Sequence, residues 1–185
     1  IAATFTDTFD PFRNMWIVIY EVPSGRELVK SVSQRGYIQN LSWSPDDQTI
    51  ALATSYPGIP LLDSQSLTIS RHLLGFETDV DWVTWDPSGE RIAAKRYGFG
   101  ANEFRVWDAE TGATLKAFDG VNIRGISWSP DGTRIAGEYT SGRTSAIEVW
   151  DVMNGQPLIT ISRPMTDTFR ISYLWSPDGR SLFLS

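Results

Sequence analysis

Asp79 and Asp81 stand one residue apart, and paired carboxylates can divide general acid and base roles or give oxygens to a calcium ion. The residues around them complete neither arrangement, because a calcium loop supplies its oxygen ligands in an ordered spacing that is missing here. Zinc is a poor fit too: the chain has no cysteine and one histidine, His72, so a site would be built almost entirely of carboxylates. A Ser-His-Asp arrangement could draw only on His72, which falls in a predicted outer strand and reads as an ordinary surface residue. Asn40-Leu41-Ser42 matches a glycosylation acceptor but lies on a predicted strand. The stretch from Asp7 to Asn14, with Pro11 and Arg13, reads either as a solvated connection or as a binding loop. These residues predict no catalytic site, no metal and no cofactor.

What does stand out is periodic. Trp43-Ser44-Pro45-Asp46-Asp47, Trp85-Asp86-Pro87-Ser88-Gly89, Trp128-Ser129-Pro130-Asp131-Gly132 and Trp175-Ser176-Pro177-Asp178-Gly179 are four copies of one turn. Their spacing is that of a four-stranded propeller blade, about 40–45 residues. Proline presets φ for the first central turn position, aspartate bonds back to its own backbone, and glycine tolerates positive φ. A hairpin is therefore expected at each copy, and β-type alternation flanks it: Ile123, Ile126 and Trp128 before, Ile135, Ala136 and Gly137 after. A second marker runs out of phase with the first: Tyr20-Glu21, Leu62-Asp63, Trp107-Asp108 and Trp150-Asp151. It closes a predicted third strand, such as Phe104 to Asp108, and a turn and a fourth strand follow, such as Thr114 to Phe118. The expected fold is all-β: a β-propeller of four-stranded antiparallel blades, about four blades' worth of a larger ring.

The Val-Trp-Asp third strands and the Trp-Ser-Pro-Asp-Gly hairpins, taken together, resemble WD40 repeats of the bacterial type, and the resemblance covers essentially the whole chain. Two features of that family are absent. Gly75-Phe76 stands where Gly-His is common, and Ala101 and Thr144 stand where the turn between second and third strands often carries Asp. The resemblance thus implies an Asp-His-Ser-Trp network reduced to its tryptophan, and packing of Trp107 and Trp150 is expected to hold each blade. Approximate repeats are 1–32, 33–74, 75–118, 119–162 and 163–185. Ile1-Ala2-Ala3 aligns with Ile92-Ala93-Ala94, and Ser181 to Leu184 reads as another second strand. Residues 1–185 are therefore read as a propeller segment that starts and ends mid-blade, whose open blade edges could support self-association.

Composition narrows the function classes. With 41% apolar and 12% aromatic residues the chain can bury a core, and six of its eight tryptophans fall at repeat positions, where packing accounts for them. The net charge is −6 and no run of Lys and Arg exceeds two residues, which argues against nucleic acid as a partner. No apolar run approaches the ~18–20 residues of a membrane span.

Function must then come from surfaces, since a fold does not specify one. In rings of the resembled type, the approach to the first strand and the second-to-third loops form the face used most for partners. Four and six residues before the hairpin tryptophans lie Tyr37 and Gln39, Asp79 and Asp81, and Asn122 and Arg124; the longer loops add Tyr97, Phe99, Tyr139 and Arg143. Tyrosine and arginine are enriched among interface hot spots. The expected function is a non-catalytic scaffold or sensor within a larger multidomain protein, binding a protein partner or another domain of the same parent chain. Two alternatives are a propeller gating a hydrolase or peptidase, which would need a Gly-x-Ser-x-Gly turn that this stretch lacks, and a TolB-like envelope propeller.

Overall fold

A computed structural model describes residues 2–6, 14–31, 34–35, 37–96, 103–119, 123–141, 144–164 and 173–184. The chain divides into two compact units, Ile1–Val83 and Thr84–Ser185. All the regular structure described is β, in antiparallel sheets whose strands follow one another in space nearly as they do in sequence.

In the first unit, β1 (Ala2–Thr6), β2 (Asn14–Tyr20) and β3 (Glu27–Lys30) form a sheet in that order, with β4 (Gln34–Arg35) also pairing along β2. The outermost strand is β3, and pairing along β2 resumes at β4. The next sheet is β5 (Ile38–Trp43), β6 (Thr49–Thr54), β7 (Ile59–Asp63) and β8 (Ile69–Leu73). Ile17 and Ile19 of β2 pack with Ile50, Leu52, Leu62 and Leu67, so one face of each sheet closes the core between them.

The division between the units falls inside β9 (Trp82–Trp85), which begins a sheet completed by β10 (Arg91–Arg96), β11 (Glu103–Asp108) and β12 (Thr114–Asp119). The second unit continues with β13 (Ile123–Trp128), β14 (Arg134–Ser141), β15 (Thr144–Asp151) and β16 (Pro157–Pro164), then a two-stranded sheet of β17 (Tyr173–Trp175) and β18 (Leu182–Leu184). Its core has the same logic: Ala93, Phe104 and Val106 from one sheet meet Ile126, Trp128, Ile135 and Trp150 from the next. Phe104 stacks on Phe118 at 3.9 Å and meets Trp150 edge-on at 5.3 Å. Both third-strand tryptophans, Trp107 and Trp150, are buried.

Two expectations need correction. Tyr139 was assigned to a second-to-third loop and Thr144 to the turn there, but both are strand residues. β14 and β15 stay paired from Arg134↔Asp151 out to Ser141↔Thr144, with Tyr139 opposite Ala146. Tyrosine and threonine suit a pleated strand, so the ladder runs on to the end of the hairpin.

Each repeated turn forms the same hairpin. The residue after tryptophan donates its N–H to the carbonyl five residues further on, as Ser129 N does to Arg134 O at 2.9 Å. The fourth turn residue is left-handed: φ is 78° at Gly89, 66° at Gly132, 68° at Gly179, and 60° at Asp47. The third-to-fourth-strand turns repeat this at Gly25, Gly112 and Gly155, with Leu67 (φ 55°) as the exception. Left-handed backbone costs an ordinary L-residue roughly 1–2 kcal/mol. Leu67 offsets that by burying its side chain in the first unit's core, worth about 1.5–3 kcal/mol. Asp47 is exposed and has no such return. Asp47→Gly is therefore expected to raise stability by about 0.5–1 kcal/mol in urea denaturation, whereas Leu67→Gly should lower it. Equal effects of one sign would contradict this account.

Candidate functional site

The sheets have two ends, and their polar residues are used differently. At the hairpin end the carboxylates are absorbed by structure. Asp131 accepts from Ser129 Oγ at 2.5 Å, Thr133 N at 3.0 Å, Thr133 Oγ1 at 2.8 Å and Arg134 Nη2 at 3.0 Å. The Ser129 bond leads in holding its carboxyl well below the usual range. Asp46 and Asp178 accept from Ser44 and Ser176 in the same way and are lowered for the same first reason. At the second hairpin the two residue types are exchanged, with Ser88 Oγ donating to Asp86 Oδ2 at 2.8 Å. The Asp-Pro-Ser copy therefore keeps the same hydroxyl-to-carboxylate bond.

An arginine six residues after tryptophan extends two of these turns into clamps. Arg91 meets the fully buried Asp86 through Nε (3.0 Å) and Nη2 (2.9 Å), and its guanidinium lies 5.2 Å from the Trp128 ring of the next sheet. Arg134 pairs with Asp131, lies 5.1 Å from the Trp175 ring, and donates to Gly179 O at 2.9 Å. A Cβ at Gly132 would come 2.8 Å from Arg91 Nη2, the movable end of a side chain, so the left-handed φ of 66° is what reserves this position for glycine. The tryptophans add a second tie, since Trp128 Nε1 donates to Thr84 O (3.4 Å) and Trp175 Nε1 to Ser127 O (3.3 Å). The sequence signal for the clamp was the Trp-to-Arg spacing, present only at Arg91 and Arg134.

The opposite end of the β5–β8 sheet carries the expected contact residues of the first unit. Tyr37 leads into β5, and its N–H donates to Ser55 Oγ while its carbonyl accepts from Ser55 N, both at 2.9 Å. Val80, between Asp79 and Asp81, donates to Thr54 O at 2.8 Å. Thr54 Oγ1 in turn contacts Tyr56 O and Tyr56 N at 3.3 Å. Asn40 Oδ1 accepts from Val83 N at 2.9 Å, so the side chain of the apparent glycosylation acceptor is committed to holding two strands together. Gln39 is exposed at a bulge, where pairing jumps from Ile38↔Thr54 to Asn40↔Ala53. Bulges re-aim side chains at sheet ends. Two chain segments, at Tyr37 and at Val80, thus converge on a third, Thr54–Ser55–Tyr56. They present Tyr37 (38% exposed), Tyr56 (49%) and Trp82 (37%) beside exposed Asp79 and half-buried Asp81. Tyr56 and Trp82 were missed in the sequence, because position alone does not tell an exposed ring from a buried one.

In the second unit, Arg124 is exposed in β13, inside a bulge between Ile123↔Tyr139 and Ile126↔Gly137. Asn122, Tyr97, Phe99 and Arg143 lie outside the described residues, as do residues 7–13 of the Asp7–Asn14 stretch. His72 is exposed on β8. Among the described residues, no group of three or more His, Cys, Asp or Glu could hold a metal ion, and no helix is long and apolar enough to cross a membrane.

Another buried ionic group lies at the start of β11, where Glu103 bonds Arg96 Nε at 2.7 Å and Arg105 Nη2 at 3.0 Å. Burial acts to raise its carboxyl, but the two arginines outweigh burial and hold it low.

Arg91→Ala strands a buried carboxylate and is expected to cost about 2–3 kcal/mol, whereas Arg134→Ala, facing a half-exposed Asp131, should cost about 0.5 kcal/mol. Chemical denaturation of both variants tests the ranking. Asp131 has a folded pKa below its unfolded one, so its contribution is full above about pH 4 and fades as pH falls through the folded value. Asp131→Asn should therefore flatten the acid limb of stability against pH. An unchanged limb would contradict that role.

No family model matches the chain, and no curated protein matches it. Among solved structures it is similar to Kuenenia stuttgartiensis hydrazine synthase, at 12% identity and a TM-score of 0.76, over 91% of this chain and 51% of that one. The chain thus spans about half the length of that relative. Matches of backbone extend to 1150 solved chains, so the architecture is common and a neighbour's name carries no activity across. At this identity the likeness speaks to the fold alone: an all-β chain of four-stranded antiparallel sheets arranged as propeller blades.

Proposed function

We propose that this chain is a non-catalytic protein-binding module of WD40-like type, a scaffold or sensor surface that serves a partner protein or another domain of a larger parent. The observation that carries the reading is the contrast between the two sheet ends. The hairpin-end carboxylates of Asp46, Asp86, Asp131 and Asp178 are engaged by local bonds, while Tyr37, Gln39 and Tyr56 at the far end of the β5–β8 sheet, and Trp82 at the start of β9, are exposed on a hydrogen-bonded base. Amphipathic rings on a rigid support are what interface hot spots are made of, since little side-chain freedom is lost on contact. The support here is three segments fixed by backbone bonds, so the rings are pre-organised for contact.

Site-specific photo-crosslinking tests this. A benzophenone side chain at position 39 or 56 should form adducts with protein partners in cells of the source organism, and the same probe at the exposed hairpin position 46 should not. Equal labelling from both ends, or none from 39 and 56, would overturn the assignment.

A further inference from the structure

We infer that the partner segment received by this surface is cationic, a peptide stretch bearing arginine or lysine; this rests on the binding-module reading above. Between Arg35 and Arg91 the sequence contains one cationic side chain, Arg71, and eight carboxylates. Arg71 lies on the outer strand β8, while Glu77, Asp79 and Asp81 lie on the segment that leads into Trp82. Among the described residues no hydrogen bond or ion pair engages the Asp79 carboxylate, and its residue is exposed. Asp79 flanks Val80, whose N–H is bonded to Thr54 O, and Thr54 Oγ1 accepts from Tyr56 N; the carboxylate-bearing and ring-bearing segments are thus fixed side by side.

The chemistry that satisfies both at once is a cation with an apolar stem. A guanidinium or ammonium is attracted to the face of Trp or Tyr by the ring quadrupole, and a neighbouring carboxylate adds direct charge attraction. Its methylene stem covers apolar ring surface while the charged head remains at the carboxylate. An acidic peptide or a nucleic-acid phosphate would meet like charge here, which a lone ring contact does not offset. Acidic surroundings also favour encounter with cationic segments at low ionic strength.

The test uses the full 185-residue chain on an array of synthetic peptides of one length in three sets: Arg/Lys-bearing, neutral and Glu/Asp-bearing. Binding is expected to concentrate in the first set and to weaken as salt rises from about 50 to about 500 mM. Solution titration of the best peptide should show about tenfold weaker binding for Asp79→Lys and for the Tyr56→Ala/Trp82→Ala double variant. All three positions are exposed, and circular dichroism melts confirm that each variant folds. Selection of neutral or acidic peptides that still depend on Tyr56 and Trp82 would overturn the cationic partner and leave the binding module standing. Selected peptides indifferent to all three substitutions, or no selection in any set, would overturn both.

Discussion

A sheet of four strands, most of them four to six residues long, has two faces and cannot shield either by itself. The alternation along each strand sends large residues to both sides, so every sheet needs a neighbour. In the second unit that need is met at three levels: Ala93, Phe104 and Val106 against Ile126, Ile135 and Trp150, then the indole N–H to the preceding sheet's carbonyl, then the arginine laid over the next tryptophan. The apolar contact supplies most of the stabilisation, and the polar ties fix how one sheet is set against the next. Small residues make the approach possible. Ala51, Ala93 and Ala136 are all fully buried.

This arrangement decides where chemistry can and cannot be. Tryptophan, serine, aspartate and arginine at the hairpin end resemble a reactive cluster by type, yet Ser129, Asp131, Asp86, Arg91 and Arg134 are all engaged by a turn or by the neighbouring sheet. A carboxylate that already accepts three or four hydrogen bonds, as Asp131 does, is a poor proton acceptor at neutral pH because its charged form is over-stabilised. The other sheet end has no such duty. Its backbone is held by a few bonds around Thr54 and Ser55, while Gln39, Tyr56, Asp79 and Trp82 remain exposed.

The blades were legible because their markers have local causes. Proline, aspartate and glycine declare a hairpin wherever they meet in that order, and a tryptophan before each one fixes the strand phase. The left-handed Asp47 and Leu67 were hidden, since each occupies a place whose counterparts are glycine, and only the backbone reveals what they tolerate. The clamp was hidden for a different reason. Arg91 and Arg134 each stand six residues after a hairpin tryptophan, but the rings they cover lie 37 and 41 residues onward in sequence, a distance that local pattern does not cross. Tyr139 was misplaced because Ser141-Gly142-Arg143-Thr144 has the composition of a loop, whereas the ladder continues to Ser141. Of the site, Tyr37, Gln39, Asp79 and Asp81 follow from counting back from tryptophan. Tyr56 and Trp82 required knowing which rings the packed sheet leaves outside.

Exposure of those rings has its own cost. A half-exposed tryptophan forgoes much of the burial that Trp107 and Trp150 obtain, at roughly 25 cal/mol for each Å² left in water. The fold does not compel it: at the place of Trp82, three residues before the hairpin tryptophan, the neighbouring repeats carry Asn40 and Gly125. Asn40 ties β5 to β9 and Gly125 leaves room for Tyr173 Oη, which a Cβ there would meet at 3.3 Å, whereas Trp82 adds neither a tie nor room. A large apolar side chain that departs from its repeat, stays in water and lies beside an unengaged carboxylate is better explained by a contact outside the chain than by the stability of the chain itself.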